Sequence, residues 1–228
     1  MKTEVRWFLA FVIAGLVFAG AAEAGEWSAG VAKRVITPSE PMWMSGYSNR
    51  TKPAEGKLTE LWAKALVLDD GEGTRALLIT ADLVGIDYDT SNAVRRALSK
   101  GLKIPLKGIA INVSHTHSGP VVGAVLAPQQ DLDEKEAAKV ESYTTRLRKE
   151  LRDVAVDAIA NLAPARVSWG VGECGFAVNR RENVEKQVAI LRKEGKLKGP
   201  VDHSVPVLRV EDGTGRRRCS SGTPVMRR

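Results

Sequence analysis

Short apolar runs alternate with amphipathic segments over the first half of the chain. Residues 27–36, 61–68 and 75–83 have the apolar, β-branched composition of strands. The D-G and Gly-rich residues 69–73 between the last two runs predict a hairpin turn. Residues 88–101 repeat apolar positions at helical spacing, and Gly101 is the expected C-cap. A short apolar strand is then predicted within residues 104–113.

The second half of the chain is dominated by one long amphipathic pattern. Residues 133–162 predict a helix that Pro164 ends, because proline cannot continue a helix. Its apolar face consists of Ala137, Val140, Tyr143, Leu147, Leu151, Val154, Ala158 and Ile159. Two further strands are predicted at residues 166–172 and 205–210. Interleaved strands and helices with hairpins among them predict an α/β fold, a layered mixed β-sheet flanked by helices.

One connection is too long to be a simple turn. Residues 38–56 are rich in Pro, Gly, Ser and Asn and separate the first two predicted strands. Loops of this length are commonly functional, so we expect this segment to contribute to a site.

The N-terminus has the organisation of a secretory signal peptide. Lys2 and Arg6 are followed by an apolar run over residues 7–20 and by Ala22-Glu23-Ala24, an A-x-A cleavage sequence. A transmembrane anchor is the alternative, but the run is shorter than the ~20 residues needed to span a bilayer. We therefore expect residues 1–24 to be removed and the mature protein to be periplasmic or secreted.

Charge and cysteine content add little. The formal net charge is +7, but five arginines lie within residues 216–228, which leaves about +2 for the rest. No basic stripe with interleaved aromatic residues is present, so a nucleic-acid partner is not expected. Cys174 and Cys219 are the only cysteines, too few for a disulfide framework, and we do not expect a native disulfide.

The candidate chemistry lies in NVSHTHSGP, residues 112–120, directly after the fourth predicted strand. If that strand continues, His115 and His117 share a face, where two imidazoles could bind a zinc ion. One histidine could also be the ligand and the other a hydrogen-bond donor. An isolated H-x-H pair is equally compatible with ordinary surface or core histidines.

The wider pattern resembles the neutral/alkaline (non-lysosomal) ceramidase family. The resemblance rests on SHTHSGP and, in order along the chain, on VITP (35–38), SGY (45–47), LWAKALVLDDG (61–71), ITADLVGI (79–86) and AVNRR (177–181). It extends over residues ~27 to ~215. The family hydrolyses the amide bond of N-acylsphingosines, using one zinc ion. The resemblance therefore implies ceramide or a related N-acyl lipid as substrate, and contact with membranes or lipid aggregates.

The resemblance also implies roles for individual residues. His115 would be a zinc ligand, and His117 would lie beside the metal as a catalytic donor to the substrate oxygens. Asn179 and Arg180 match an N-R element that holds the polar end of the substrate, whereas an unaided interpretation makes Arg180 a surface ion-pair residue.

Two other polar residues lie near the predicted strands. Asp82 could orient His115 as a neighbouring carboxylate, although a strand-end residue capping a loop is the simpler interpretation. His203 stands before a strand without a companion histidine, so a surface or structural role is expected for it.

The remaining zinc ligands of the family are a second His, a Glu and a Tyr, and the matching residues include only the first His. We therefore expect residues 25–215 to be the N-terminal part of a catalytic domain. Two hypotheses follow: a zinc-dependent ceramidase-like amidohydrolase in truncated form, and a non-catalytic secreted fragment without a complete metal site.

The C-terminal residues 216–228, RRRCSSGTPVMRR, have no periodicity and follow directly on a predicted strand. Reading their codons from the third base of the Arg217 codon permits A-V-L-F-G-Y-A-C-H-A, which is the strand that carries the family's second zinc-ligand histidine. We therefore expect this tail to be frameshifted and the chain as translated to be inactive. It should also be poorly stable, because the strands that complete its sheet are absent and an open edge remains. A genuine, divergent terminus is the alternative, and the nucleotide sequence decides between them.

Overall fold

A computed structural model describes residues 27–125, 132–212 and 217–221, the last five as backbone only. Within these residues, seven strands and three α-helices follow one another in chain order. They are β1 Ser28–Val35, β2 Trp62–Asp69, β3 Arg75–Ala81, α1 Tyr88–Leu102, β4 Ile109–Val113, α2 Glu134–Ala160, β5 Ala163–Glu173, α3 Val188–Lys193, β6 Ser204–Asp212 and β7 Arg217–Ser221. The predicted α/β class with a mixed sheet is confirmed.

The strands form one sheet in the order β4-β3-β2-β1-β5-β6-β7. Only β3 and β4 are parallel, and α1 lies in the crossover between them. β2 and β3 form the predicted hairpin across residues 70–74. β1 and β5 share only two residue pairs, Ser28 with Pro164 and Ala29 with Ala163. The sheet is therefore narrowly joined at this point.

Helices α1 and α2 cover one face of the β1–β4 half of the sheet and bury the main core there. Asp87 and Asp133 cap the two helices by accepting hydrogen bonds from Thr90 N and Glu136 N. Helix α2 approaches β1 so closely that a Cβ at Gly30 would stand 1.9 Å from the carbonyl oxygen of Ala158. Gly30 is therefore needed for this packing.

The other face of the sheet is covered more thinly. A small cluster of Ala29, Leu66 and Val210, with Leu208 beside it, packs β6 against this face of β1 and β2. Beyond that cluster the β5–β6 pair leaves large apolar side chains in contact with solvent, among them Trp169, which is 81% exposed, and Val171, which is 60% exposed.

Several predictions at the level of elements need correction. α1 ends at Leu102 with Lys103 as a left-handed C-cap at φ 56°, so Gly101 is not the cap. Pro164 lies inside β5 as its second residue, since the strand starts at Ala163 directly after the turn that ends α2. Helix α3 was not predicted. Its six residues offer too short a stretch for a helical period to stand out.

Residues 217–221 of the tail form β7, which pairs antiparallel with β6. Within the described residues, β7 is the last strand on this side of the sheet. Residues 1–26, which include the predicted signal peptide, and residues 222–228 lie outside the described part of the chain. No helix among the described residues is long and apolar enough to cross a membrane.

Candidate functional site

The two histidines follow directly after strand β4 at the edge of the sheet, as predicted, but they lie outside the strand. The strand ends at Val113, and Ser114 N donates to the carbonyl oxygen of Ala81 at the end of β3 (3.0 Å). His115 then has φ 57°, a left-handed conformation that is uncommon outside glycine. The turn at His115 therefore brings the two imidazole rings together. We had expected a continuing strand, with both side chains on one face, to do so.

The hydrogen bond to His115 fixes its tautomer. Its Nδ1 lies 2.7 Å from the carbonyl oxygen of Val84, and a carbonyl can only accept, so Nδ1 carries the proton. In the neutral ring Nε2 is then unprotonated and free to bind a cation. Metal-binding histidines in proteins are commonly oriented by such a bond from the other ring nitrogen.

The ring of His117 stands at a right angle to that of His115. The planes meet at 89°, the centroids are 4.9 Å apart, and the two Nε2 atoms are 3.4 Å apart. Because His115 Nε2 has no proton, any hydrogen bond between the rings runs from the N–H of His117 Nε2. The other nitrogen, His117 Nδ1, is buried and has no hydrogen-bond partner among the described residues.

The long loop between β1 and β2 packs on the histidine turn. Ser45 N donates to the carbonyl oxygen of Gly119 (3.0 Å), and Val121 N donates to that of Trp43 (2.9 Å). Gly46 passes directly over the His117 ring, where a Cβ would lie 2.6 Å from Cγ. Ser45 Oγ is buried beside it and has no partner within the described ranges.

Two further loop residues contact His117, and reasoning from the sequence missed both. The ring of Tyr47 packs edge-on against the His117 imidazole, with centroids 4.7 Å apart. Arg50 Nη2 donates to the carbonyl oxygen of His117 (2.6 Å), and its guanidinium lies over the Tyr47 ring at 5.4 Å. The length and composition of the loop signalled their importance, and Tyr47 also lies in SGY (45–47), one of the segments that resemble the family.

Asp82 does not orient His115. Its Oδ2 accepts from Trp62 N (3.0 Å), and its own N–H donates to the Trp62 carbonyl (3.0 Å), so Asp82 caps the end of the β2–β3 hairpin. The Val84 carbonyl holds the imidazole instead. His203 is exposed, and its carbonyl oxygen accepts from Cys174 N (2.8 Å), in agreement with a structural role. Cys174 is a free thiol.

Asn179 and Arg180 lie in the connection between β5 and β6. Asn179 Oδ1 accepts from the backbone N–H groups of Arg181 and Glu182, and Nδ2 donates to the carbonyl of Pro200 (3.1 Å). Arg180 forms an exposed ion pair with Glu185 at 3.2 Å. In the described part of the chain, no hydrogen bond or ion pair joins either residue to the two histidines.

The donor set fits part of a zinc site. An imidazole with a hydrogen-bonded Nδ1 and a free Nε2 is a typical zinc ligand, and His115 provides it. Across residues 27–125, 132–212 and 217–221, no group of three or more His, Cys, Asp or Glu side chains is arranged to hold a metal ion. The histidine pair therefore supplies at most two of the four ligands usual for zinc.

Comparison with known proteins identifies the family. Residues 27–220 match the family described as neutral/alkaline non-lysosomal ceramidase, N-terminal. The chain belongs to this ceramidase family. A search of curated protein sequences gives no match.

Two solved ceramidase structures share the fold. The crystal structure of neutral ceramidase from Pseudomonas aeruginosa superposes with a TM-score of 0.65 at 23% identity over 86% of this chain. A ceramidase complexed with C2 superposes with a TM-score of 0.63 at 22% identity over 86% of this chain. The ceramidase-family chain described here spans 31% and 30% of the lengths of those two proteins.

Proposed function

We propose that this chain takes part in zinc-dependent hydrolysis of the amide bond of ceramide or a related N-acyl lipid, which yields a fatty acid and a sphingoid base. The observation that carries the proposal is the bond between His115 Nδ1 and the Val84 carbonyl (2.7 Å), which leaves Nε2 free as a ligand at the edge of the sheet. Membership of the ceramidase family supports the choice of substrate.

The two histidines have different roles in this proposal. His115 Nε2 would hold the zinc ion, which when bound supplies an activated water and polarises the amide carbonyl. Nε2 of His117 lies 3.4 Å from the same atom of His115, and in the tautomer protonated at Nε2 it would donate to a substrate oxygen that develops negative charge. His117 is the catalytic donor, and its ring is held under Gly46.

The substrate would extend beyond the histidines. Asn179 and Arg180 are proposed to hold its polar end, with Arg180 exchanging its exposed partner Glu185 for the substrate. The exposed side chains of Trp169, Val171 and Phe176 on the β5–β6 side of the molecule favour contact with lipid aggregates or membranes. A non-catalytic role remains the second candidate, since at most two zinc ligands lie together in the described ranges.

Metal binding by purified protein tests the proposal directly. In a full-length version that also carries the family's remaining zinc ligands, we expect the wild type to bind one more zinc ion in equilibrium dialysis than His115→Ala, because Nε2 of His115 is the proposed ligand. His203→Ala is the matched control, since His203 is exposed and lies apart from the pair, and it should bind zinc as the wild type does. Equal zinc binding by the wild type and His115→Ala would contradict the assignment.

Release of fatty acid from N-acylsphingosine, measured on the same proteins, separates the two candidates. Hydrolysis that is lost in His115→Ala and strongly reduced in Arg180→Lys supports the enzyme, because an ammonium cannot reproduce a planar guanidinium. Zinc binding without hydrolysis in the wild type favours the non-catalytic candidate. Equal turnover by Arg180→Lys and wild type would contradict a role in substrate binding and leave Arg180 as a surface residue paired with Glu185.

A further inference from the structure

Arg50 makes contacts different from those of the ion-paired arginines of this chain. Arg34, Arg75, Arg180 and Arg209 each pair with a carboxylate. Arg50 forms no ion pair within the described residues; its guanidinium donates to a backbone carbonyl and lies over an aromatic ring. Its Nε is buried and without a hydrogen-bond partner in the same part of the chain. Arg50 as a whole is half-buried, and a buried N–H without an acceptor costs free energy.

Both contacts of Arg50 lead to His117. The first is direct, from Nη2 to the His117 carbonyl oxygen at 2.6 Å. The second passes through Tyr47, whose ring lies 5.4 Å below the guanidinium and 4.7 Å from the His117 imidazole. Arg50 therefore contacts the backbone of His117 and, through Tyr47, its ring. The two residues are 67 positions apart in the chain.

The chemistry of the side chain explains why an arginine suits this position. A planar guanidinium can donate in its plane while one of its faces lies on an aromatic ring. A lysine ammonium has no plane, so it can satisfy the carbonyl or the ring but not both in the same geometry. Tyr47 itself is 54% exposed, and among the described residues its ring contacts are those with the guanidinium and with the His117 imidazole.

We propose that Arg50 is a positioning residue that, together with Tyr47, locks the His117 imidazole in the orientation that directs its Nε2 at His115. The role of His117 in this inference rests on the proposed function. The lock itself is a property of the chain without metal or substrate, so it can be tested even if no hydrolysis is found.

Imidazole NMR on the full chain tests the lock. The protein has only three histidines, so the ring signals of histidine-labelled protein are few enough to assign. In the wild type, the Tyr47 ring current should separate the His117 signals from those of exposed His203, which is an internal reference. In Arg50→Gln and in Arg50→Lys we expect the His117 ring signals to move toward those of His203, whose own signals stay unchanged.

Arg146→Gln is the matched control, because Arg146 makes the same two kinds of contact elsewhere. Its Nη2 donates to the Thr37 carbonyl (2.8 Å), and its guanidinium lies over Tyr143 at 5.2 Å. This variant should lose stability and leave the His117 signals in place. A shift of His117 in Arg146→Gln as large as in Arg50→Gln would overturn the proposal, because general loosening of the loop would then explain both.

Variants of Tyr47 test the second contact and cover the case in which Arg50→Gln fails to fold. Tyr47→Phe keeps the aromatic edge and should keep the wild-type His117 signals, whereas Tyr47→Leu should move them as Arg50→Gln does. Unchanged His117 signals in Tyr47→Leu and Arg50→Lys would also overturn the proposal. If zinc does not bind the wild type, the proposed function is refuted. The His117 signals would still test the role of Arg50, because they are measured without metal.

Discussion

At the scale of single residues, the backbone at Gly46 is shaped around His117. Gly46 has φ 110°, and a Cβ there would lie 2.6 Å from Cγ, 2.8 Å from Nδ1 and 2.9 Å from Cβ of His117. The positive φ favours glycine because other residues rarely adopt it, and the close approach of His117 leaves no room for a side chain at position 46. Gly73 also has a positive φ, 101°, but no atom lies within 4 Å of the added Cβ.

This pair of glycines gives a controlled prediction. Both Gly46→Ala and Gly73→Ala should lose about 1 kcal/mol or more of unfolding free energy from the positive φ alone. Gly46→Ala should lose more than Gly73→Ala in urea unfolding, because the His117 ring must also move. Its His117 imidazole signals should shift as well, and those of Gly73→Ala should not. Equal losses in the two variants, with unchanged His117 signals, would contradict the close approach.

At the scale of elements, helix α2 holds the start of the loop that covers the site. The hydroxyl of Tyr143 donates to the Ile36 carbonyl (2.7 Å), and Arg146 donates to the neighbouring Thr37 carbonyl (2.8 Å). Burial strongly raises the pKa of Tyr143, because the phenolate would be desolvated. The long helix therefore stabilises the sheet core and also fixes where the site loop begins.

Removal of the Tyr143 hydroxyl should weaken this link. We expect Tyr143→Phe to lose about 1–3 kcal/mol of unfolding free energy, because the Ile36 carbonyl is left buried without a donor. Tyr88→Phe is the control, since Tyr88 is 78% exposed, and it should be neutral. Urea unfolding measures both. A loss in Tyr143→Phe no greater than in Tyr88→Phe would show that the hydroxyl contributes nothing.

The same variant gives a pH dependence with a definite sign. The raised pKa of folded Tyr143 means that its contribution is complete below the ordinary tyrosine pKa of about 10 and is lost as the pH rises above it. Above about pH 10 the unfolded chain ionises at this residue while the folded protein does not. The stability advantage of the wild type over Tyr143→Phe should therefore shrink with increasing pH in that range.

At the scale of the whole molecule, the N-terminal sequence predicts export. Residues 1–24 combine a basic start, an apolar run and Ala22-Glu23-Ala24, which is the order of a cleaved signal peptide. Mass spectrometry of the protein from an export-competent host should find a mature N-terminus near Gly25. Ala24→Arg should block cleavage and leave residues 1–24 attached. An unprocessed wild-type protein in the cytoplasm would contradict export.

The sequence by itself determined the order and kind of most elements. Apolar periodicity over residues 133–162 and the alternation around residues 61–83 are local patterns, and they predicted α2 and the β2–β3 hairpin because each element buries one face. The position of His115 and His117 directly after a strand, together with SHTHSGP, also indicated the ceramidase family, and the match over residues 27–220 confirms it. The frameshift of the tail stays a prediction.

Only the tertiary structure decided how the histidines are held. The Val84 carbonyl, and not Asp82, accepts the hydrogen bond from His115 Nδ1, because the Asp82 carboxylate accepts from Trp62 N at the end of the hairpin. Tyr47 and Arg50 reach His117 from a loop that carries no periodic signal. Hydrophobic periodicity reports which face of an element is buried, but it holds no information about which distant loop packs on a given turn. That choice depends on the packing of the complete sheet and its helices.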